Sequence, residues 1–295
     1  MKSTICQIIF ITLILSLCVQ AGFAQKQDAE GNQLIEAPFT SIPPTIDGVL
    51  NPGEWDMADS NTVDFENLGI AGEGLGETDG PEDIQYTFSV MYDSDYLYVG
   101  VSVTDDVYVS DNFGKQYRWD LPVTWANDAV EYFFDGDLSR SESSARNAQE
   151  TETGGQWIYG TDSDASPDPF ISPELYGEKV RPYGTGPDDV WYAKTFVNEE
   201  TADWSQEARF SLDIIGSPSP GREIGFNIAV DDVDVYDEQT LDPEYWAEFR
   251  DIQLYWTAYL YDPGMTAEDA VHELEWLWGT LRFLESTDVW EWPLY

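Results

Sequence analysis

Hydrophobic and polar residues alternate with period two along much of this chain, the pattern of strands with one buried face. Ile84, Tyr86, Phe88 and Val90 share one side of a first run, Asp93-Ser94-Asp95 turns the chain, and Leu97, Val99, Val101 and Val103 continue the pattern to Asp105-Asp106. The spacing predicts a β-hairpin with polar punctuation. The run from Asp128 to Asp135 puts Val130, Tyr132 and Phe134 on one side of a strand and Ala129, Glu131, Phe133 and Asp135 on the other. One side suits a core; the other carries carboxylates. Further strands are predicted over residues 155–160, 190–197, 207–214, 223–230, 252–256 and 280–284. Helical periodicity is best over residues 266–278, where Thr266 would cap, Glu268 and Asp269 would suit the first turn, and Val271, Leu274 and Leu277 would share a side. Strands dominate everything before it. The expected fold is all-β: an antiparallel two-sheet sandwich, jelly-roll-like, with long loop insertions and a short helix near the C-terminus.

The loops are marked by composition. Residues 66–82 are Gly-rich and acidic, 136–154 are polar, and 161–187 hold Pro167, Pro169, Pro173, Pro182 and Pro187. No repeat or long linker divides the chain, so one domain is expected over 42–295, behind a lead-in at 25–41. Residues 1–24 read as an export signal, with Lys2 as the positive start, an apolar stretch from Ile5 to Val19, and Gly22-Phe23-Ala24 as a small-residue cleavage site. That stretch is about 15 residues, short of the roughly 20 that a membrane span needs. The expected location is therefore outside the cytoplasm: extracellular, periplasmic or at the cell surface. Both cysteines, Cys6 and Cys18, fall in the signal, so the exported chain would rely on its core and on bound cations rather than disulfides.

Charge narrows the partners. With 57 acidic against 13 basic residues and a net charge of −44, the field repels nucleic acid and acidic lipid surfaces. Aromatic residues at 15% provide too much apolar surface for a disordered chain. An acidic, solvated surface in a salty or calcium-rich medium accounts for most of the charge.

Candidate chemistry begins at Trp125, which stands just before the strand that carries Glu131. An indole covers the C–H face of a sugar, and a carboxylate accepts hydrogen bonds from its hydroxyls. Trp256, Trp276 and Trp278 are candidates for a second platform, and Gln156 is a further polar candidate on a nearby strand. Calcium takes six to eight hard oxygen ligands. Asp105 and Asp106 end one strand, Asp231, Asp232 and Asp234 end another, and Asp135 and Asp137 end a third, so these carboxylates are candidate ligands. No helix-loop-helix calcium loop is present, because Asp162-Ser163-Asp164 lacks the required Gly and terminal Glu. The single histidine, His272, supplies no parts for a zinc cluster or a serine triad. No Gly-rich phosphate loop follows a strand, so no nucleotide cofactor is expected.

Four segments in order resemble family nine carbohydrate-binding modules: Pro44-Thr45-Ile46-Asp47-Gly48-Val49-Leu50 leading to Gly53-Glu54-Trp55, Tyr96 to Asp106, Trp125 to Asp135, and Ile224 to Asp232. Gly279 to Phe283 is similar to the family's closing strand, and coverage runs from about Ile42 to Leu284. The resemblance implies a β-sandwich that binds carbohydrate without cleaving it, with structural calcium. In sugar-binding members two facing tryptophans hold a ring. By position Trp125 looks like the first, Glu131 like the acidic hydrogen-bonder, and the second falls between Trp256 and Trp278. Ile158 stands where such members can carry an arginine, and Ala229 where a glutamine can appear. Trp55, in the opening motif, is expected to plug the sandwich end. The leading expectation is a secreted carbohydrate-binding protein that works beside separate glycan-degrading enzymes. The alternatives are a glycoside hydrolase on the same sandwich, a haem-binding electron-transfer relative using His272 with Met57, Met91 or Met265, and a surface accessory domain without a sugar ligand.

Overall fold

A computed structural model describes residues 26–64, 80, 82–109, 128–140, 154–160, 191–198, 200–234, 252–257 and 275–285. Among them are β1 (Leu34–Ala37), β2 (Asp59–Asp64), β3 (Ile84–Tyr92), β4 (Tyr96–Asp105), β5 (Ala129–Asp135), β6 (Gly154–Gly160), β7 (Trp191–Val197), β8 (Trp204–Ser211), β9 (Glu223–Asp232), β10 (Ile252–Tyr255) and β11 (Gly279–Phe283). They form two sheets. The larger runs β1-β11-β9-β5-β6, with β10 also paired to β9; the smaller runs β2-β3-β4-β8-β7. All pairs are antiparallel except β1 with β11, which is parallel from Leu34 opposite Thr280 to Ala37 opposite Phe283. The lead-in thus contributes a strand to the larger sheet.

Alternation decides what lies between the sheets. Val130, Tyr132 and Phe134 of β5 meet Phe88, Phe210 and Phe226 in one buried cluster. Phe88 contacts Trp256 edge-on at 5.3 Å, and Trp191 stacks on Phe210 at 5.6 Å. Such aromatic pairs add to area burial, about 0.5–1.5 kcal/mol each. Two polar side chains inside this layer are matched: the Tyr132 hydroxyl donates to Gln206 Oε1 at 2.6 Å, and Gln206 Nε2 donates to Thr195 Oγ1 at 3.1 Å.

The predicted hairpin is β3–β4, and its turn is held by Asp93, whose carboxylate accepts the Asp95 and Tyr96 amides and the Tyr98 hydroxyl. The run predicted over 207–214 differs. β8 begins at Trp204 and ends at Ser211, and Leu212–Ile215 is a 3-10 turn. Ile214 and Ile215 are both buried, and the turn ends at Gly216, whose φ of +94° suits glycine. Of the helix predicted over 266–278, residues 266–274 lie outside the described residues, and Glu275–Leu277 forms a single 3-10 turn. No helix among the described residues is long and apolar enough to cross a membrane.

The opening motif lies on the outer face of the smaller sheet rather than at the sandwich end. Glu207 of β8 accepts the Asp47 amide at 2.9 Å, the Gly48 amide at 3.0 Å and Trp55 Nε1 at 2.9 Å. Gly48 has φ +92°, and a Cβ there would sit 2.6 Å from the Thr195 carbonyl carbon. Only glycine lets the loop come down on the sheet at that point.

Candidate functional site

The outer face of the larger sheet is built by strand parity. Ala129, Glu131, Phe133 and Asp135 face outward from β5, as do Asn227, Ala229 and Asp231 from β9 and Gln253 and Tyr255 from β10. Register fixes the rows: Gln253, Asp231 and Ala129 form one, Tyr255, Ala229 and Glu131 the next, and Asn227 and Phe133 the third. With strands about 4.8 Å apart, Tyr255 and Glu131 stand two strand spacings apart with the small Ala229 between them, and all three are buried. Phe133, in the next row, has ring centroids 5.9 Å from Tyr255 and 5.4 Å from Trp278. The Tyr255 hydroxyl donates to Gln253 Oε1 at 2.7 Å. Glu131, Asn227 and Gln253 are buried. An acceptor carboxylate, amides and aromatic walls meet here on one face.

The sequence-predicted residues separate into groups. Glu131 and Trp278 lie on this face, and Gln156 stands opposite Phe133 in β6. Trp276 is 40% exposed, in the 3-10 turn. Trp256 is not available as an outer platform: it follows Ile252 and Leu254 on the inward parity and packs against Phe88 and Phe226 in the core. Trp125 and His272 lie outside the described residues. Asn227, Gln253 and Tyr255 were missed, although all three sit in strands that alternation had found.

A second cluster lies where β4 and β9 end and β5 begins. Carboxylate oxygens of Asp105, Asp128 and Asp232 lie within 4.8 Å of one another, and those of Asp83, Asp106 and Asp234 form another such group. Asp105 accepts Trp204 Nε1 at 3.0 Å and the Val107 amide at 2.9 Å. Asp128 accepts the Val109 and Val233 amides at 2.6 and 3.1 Å. Among the described residues, neither oxygen of Asp232 has a hydrogen-bond partner. Burial, reinforced by neighbouring carboxylates, raises the Asp105 carboxyl to about 7, that of Asp232 to about 10, and that of Asp128 well above its ordinary range. Three buried carboxylates with two unfilled oxygens fit a hard divalent cation, which would supply the missing charge.

The other predicted ligands go elsewhere. Asp231 faces the opposite side of β9 from Asp232, beside Gln253. Asp135 lies at the far end of β5, about 20 Å along the strand from Asp128. Its carboxylate accepts the Ser139 and Arg140 amides at 3.2 and 2.9 Å and adjoins Asp137, so this pair braces a turn. Burial raises Asp135 to about 6, while its hydrogen bond with Asp135 lowers Asp137. Asp128 and Asp83 were missed as cluster members, since only register brings them to the ends of β4 and β9.

A family model described as carbohydrate family 9 binding domain-like matches residues 46–261. Two solved structures share the fold. A family 9 carbohydrate binding module from Caldicellulosiruptor kristjanssonii in complex with cellotriose is 19% identical, with a TM-score of 0.53 over 87% of this chain and 96% of that one. The module from the same organism in complex with glucose is 19% identical, with a TM-score of 0.52 over 88% and 100%. No curated protein is similar enough to this chain to be matched with it.

Proposed function

Since the chain belongs to the carbohydrate family 9 binding domain-like family, whose model covers residues 46–261, we propose that it is a non-catalytic carbohydrate-binding protein with its site on the outer face of the larger sheet. The observation that carries this reading is the row in which Tyr255 and Glu131 flank the small Ala229, with Phe133 beside it. A pyranose there has aromatic surface for its C–H face and a carboxylate for its hydroxyls. Trp125, from the same motif as Glu131, is assigned the stacking ring. Covering about 100 Å² of apolar surface contributes about 2.5 kcal/mol, and a charged hydrogen bond about 1.5–3 kcal/mol before ordering costs. Together these suit micromolar to millimolar affinity. The proposal extends to export by residues 1–24 and to work beside separate glycan-degrading enzymes.

A divalent cation, calcium by its preference for carboxylate oxygen, is proposed at Asp105, Asp128 and Asp232. It would tie the ends of β4 and β9 to the start of β5 and take no part in sugar chemistry.

A glycan array probed with and without chelator tests both halves, followed by calorimetry with cellotriose, the ligand held by one of the similar structures. Glu131→Gln is expected to weaken binding about tenfold, or 1.4 kcal/mol. Binding of no glycan by the folded wild-type protein would overturn the reading. Release of reducing sugar would favour a hydrolase instead.

A further inference from the structure

The turn that follows β5 is both strained and acidic. Leu138 and Arg140 take left-handed backbone angles, with φ of 55° and 46°, which residues with a side chain rarely adopt unless their surroundings enforce it. Packing enforces it here. A Cβ on Gly216 would lie 2.5 Å from the Gly136 carbonyl oxygen, and Arg222 Nη2 donates to that oxygen at 3.1 Å. Three acids meet in the same place. Asp135 and Asp137 share the Ser139 amide, at 3.2 and 2.9 Å, and the Ser139 hydroxyl donates to Glu275 Oε2 at 3.5 Å. Asp135 and Glu275 are buried, and Gly225, opposite Asp135 in β9, approaches so closely that a Cβ there would lie 2.8 Å from Asp135 Cβ. Carboxyls gathered this tightly cannot all ionise without repulsion.

What this turn holds is the lead-in. Arg140 Nη1 donates to the Trp278 carbonyl at 2.6 Å, and Nη2 donates to Thr280 Oγ1 at 2.6 Å and to Asp28 Oδ2 at 3.5 Å. Thr280 Oγ1 donates in turn to Asp28 Oδ2 at 2.5 Å, and Asp28 Oδ1 accepts the Glu30 and Asn32 amides that shape the lead-in's first turn. One guanidinium therefore joins the turn after β5, the start of β11 and the lead-in. Its aim depends on the left-handed backbone of Arg140. Trp278 packs on Phe133, so this junction borders the face described above.

We infer that residues 135–140 and Glu275 form a pH-sensitive clasp on the lead-in, closed while Asp135 keeps its proton and loosened when Asp135 ionises beside Asp137 and Glu275. The inference goes beyond the carbohydrate reading and does not depend on it. Among the described residues, the charged and titratable groups around Asp135 are Asp137 and Arg140 from its own turn, Glu275 from the 3-10 turn before β11, Arg222 from the segment before β9 and, through Arg140, Asp28 from the lead-in. Neither arginine neutralises Asp135: Arg140 reaches it through its backbone amide, and Arg222 lowers the Asp137 carboxyl instead. Burial, the hydrogen bond with Asp137 and the charge of Glu275 raise the Asp135 carboxyl from 3.8 to about 6. A raised value means that the closed turn binds the proton, so this contribution is complete below 3.8 and is lost as pH rises through about 6. Asp28 has the opposite sense. Against the upward pull of burial, hydrogen bonds from Thr280 and Asn32 hold its carboxyl below the ordinary range, so it stays ionised beside Arg140 throughout that rise.

Hydrogen exchange read by mass spectrometry on the full chain, in chelator and corrected for the intrinsic pH dependence of exchange, tests the clasp. Wild type should lose protection over residues 28–34 and 138–140 about tenfold between about pH 5 and about pH 7.5, the change expected of a carboxyl at about 6 when closed and 3.8 when open. The β3–β4 hairpin should keep its protection over the same range. Asp135→Asn, which retains a donor for Asp137 and cannot ionise, should show no such loss, and Asp28→Asn should expose the lead-in at both pH values. If Asp135→Asn fails to fold, Glu275→Gln answers in its place: it removes a charge that opposes ionisation of Asp135, so its loss should be smaller than that of wild type. Protection in wild type that does not change with pH overturns the inference, as does a loss in either folded variant equal to that of wild type. Loss from the lead-in and the hairpin together also overturns it, because the whole chain rather than this turn would then be titrating.

Discussion

Glu207 on the smaller sheet and Asp232 on the larger are both buried carboxylates, and their surroundings treat them in opposite ways. Glu207 receives three donors, two amides and an indole, all from the loop that begins at Pro44. Asp232 receives none among the described residues, and the groups that act on it include Asp105, Asp128, Asp234 and Asp83, all acidic. The first carboxylate is completed by the chain itself and works as a staple. The second would be completed by the cation proposed above. Side-chain type does not distinguish a structural acid from a ligand-binding one here; the inventory of donors does.

The sharpest way to break this contrast is at the staple. Glu207→Ala leaves the Asp47 and Gly48 amides and the Trp55 indole without their acceptor, and a loss of about 3 kcal/mol in unfolding free energy is expected by urea titration. An unchanged midpoint would show that water replaces the carboxylate at no cost. Next is the cation cluster. Calcium at a hundred times its dissociation constant should stabilise wild type by about 2.7 kcal/mol, and Asp232→Asn should abolish most of that gain. The same rise in melting temperature in both proteins would remove Asp232 from the ligand set. The smallest effect is on pH. Burial raises the Glu207 carboxyl from 4.5 to about 7, against the opposing pull of its three hydrogen bonds. A raised folded value means that the native state binds the extra proton, so this group's contribution is greatest below the unfolded value and falls as pH rises through that window. Glu207→Gln should therefore show a shallower decline in stability than wild type between pH 4.5 and about 7. Parallel pH curves for the two proteins would assign the slope to other acids.

Most of the sandwich was legible because its strands alternate strictly. β2 was not, since only Val63 of Asp59–Asp64 is buried, and its outward residues form polar pairs such as Ser60 with Ser89 and Thr62 with Thr87, both at 2.8 Å. β1 was hidden for a different reason: it has four residues, and its partner lies at the other end of the sequence. Within the site, Glu131 could be placed because parity opposes it to Val130. The same reasoning, continued from Ile252 through Leu254, puts Trp256 inside; the family resemblance had suggested a platform. Asp231 and Asp232 are adjacent in sequence, yet only the pleat tells which of them turns toward Asp105. Asn227, Gln253 and Tyr255 come onto one face only when β10 and β5 are set against β9.

The parallel pairing of β1 with β11 has a kinetic consequence. Leu34 meets Thr280 across nearly the whole chain, so the larger sheet acquires its last neighbour only after almost every residue has been synthesised. Contacts this distant require closing a very long loop, and chains rich in them fold slowly. The β3–β4 hairpin, by contrast, can zip up on its own within microseconds. A nascent chain would therefore carry a locally formed ribbon for most of its synthesis while its first strand waits unpaired for the last.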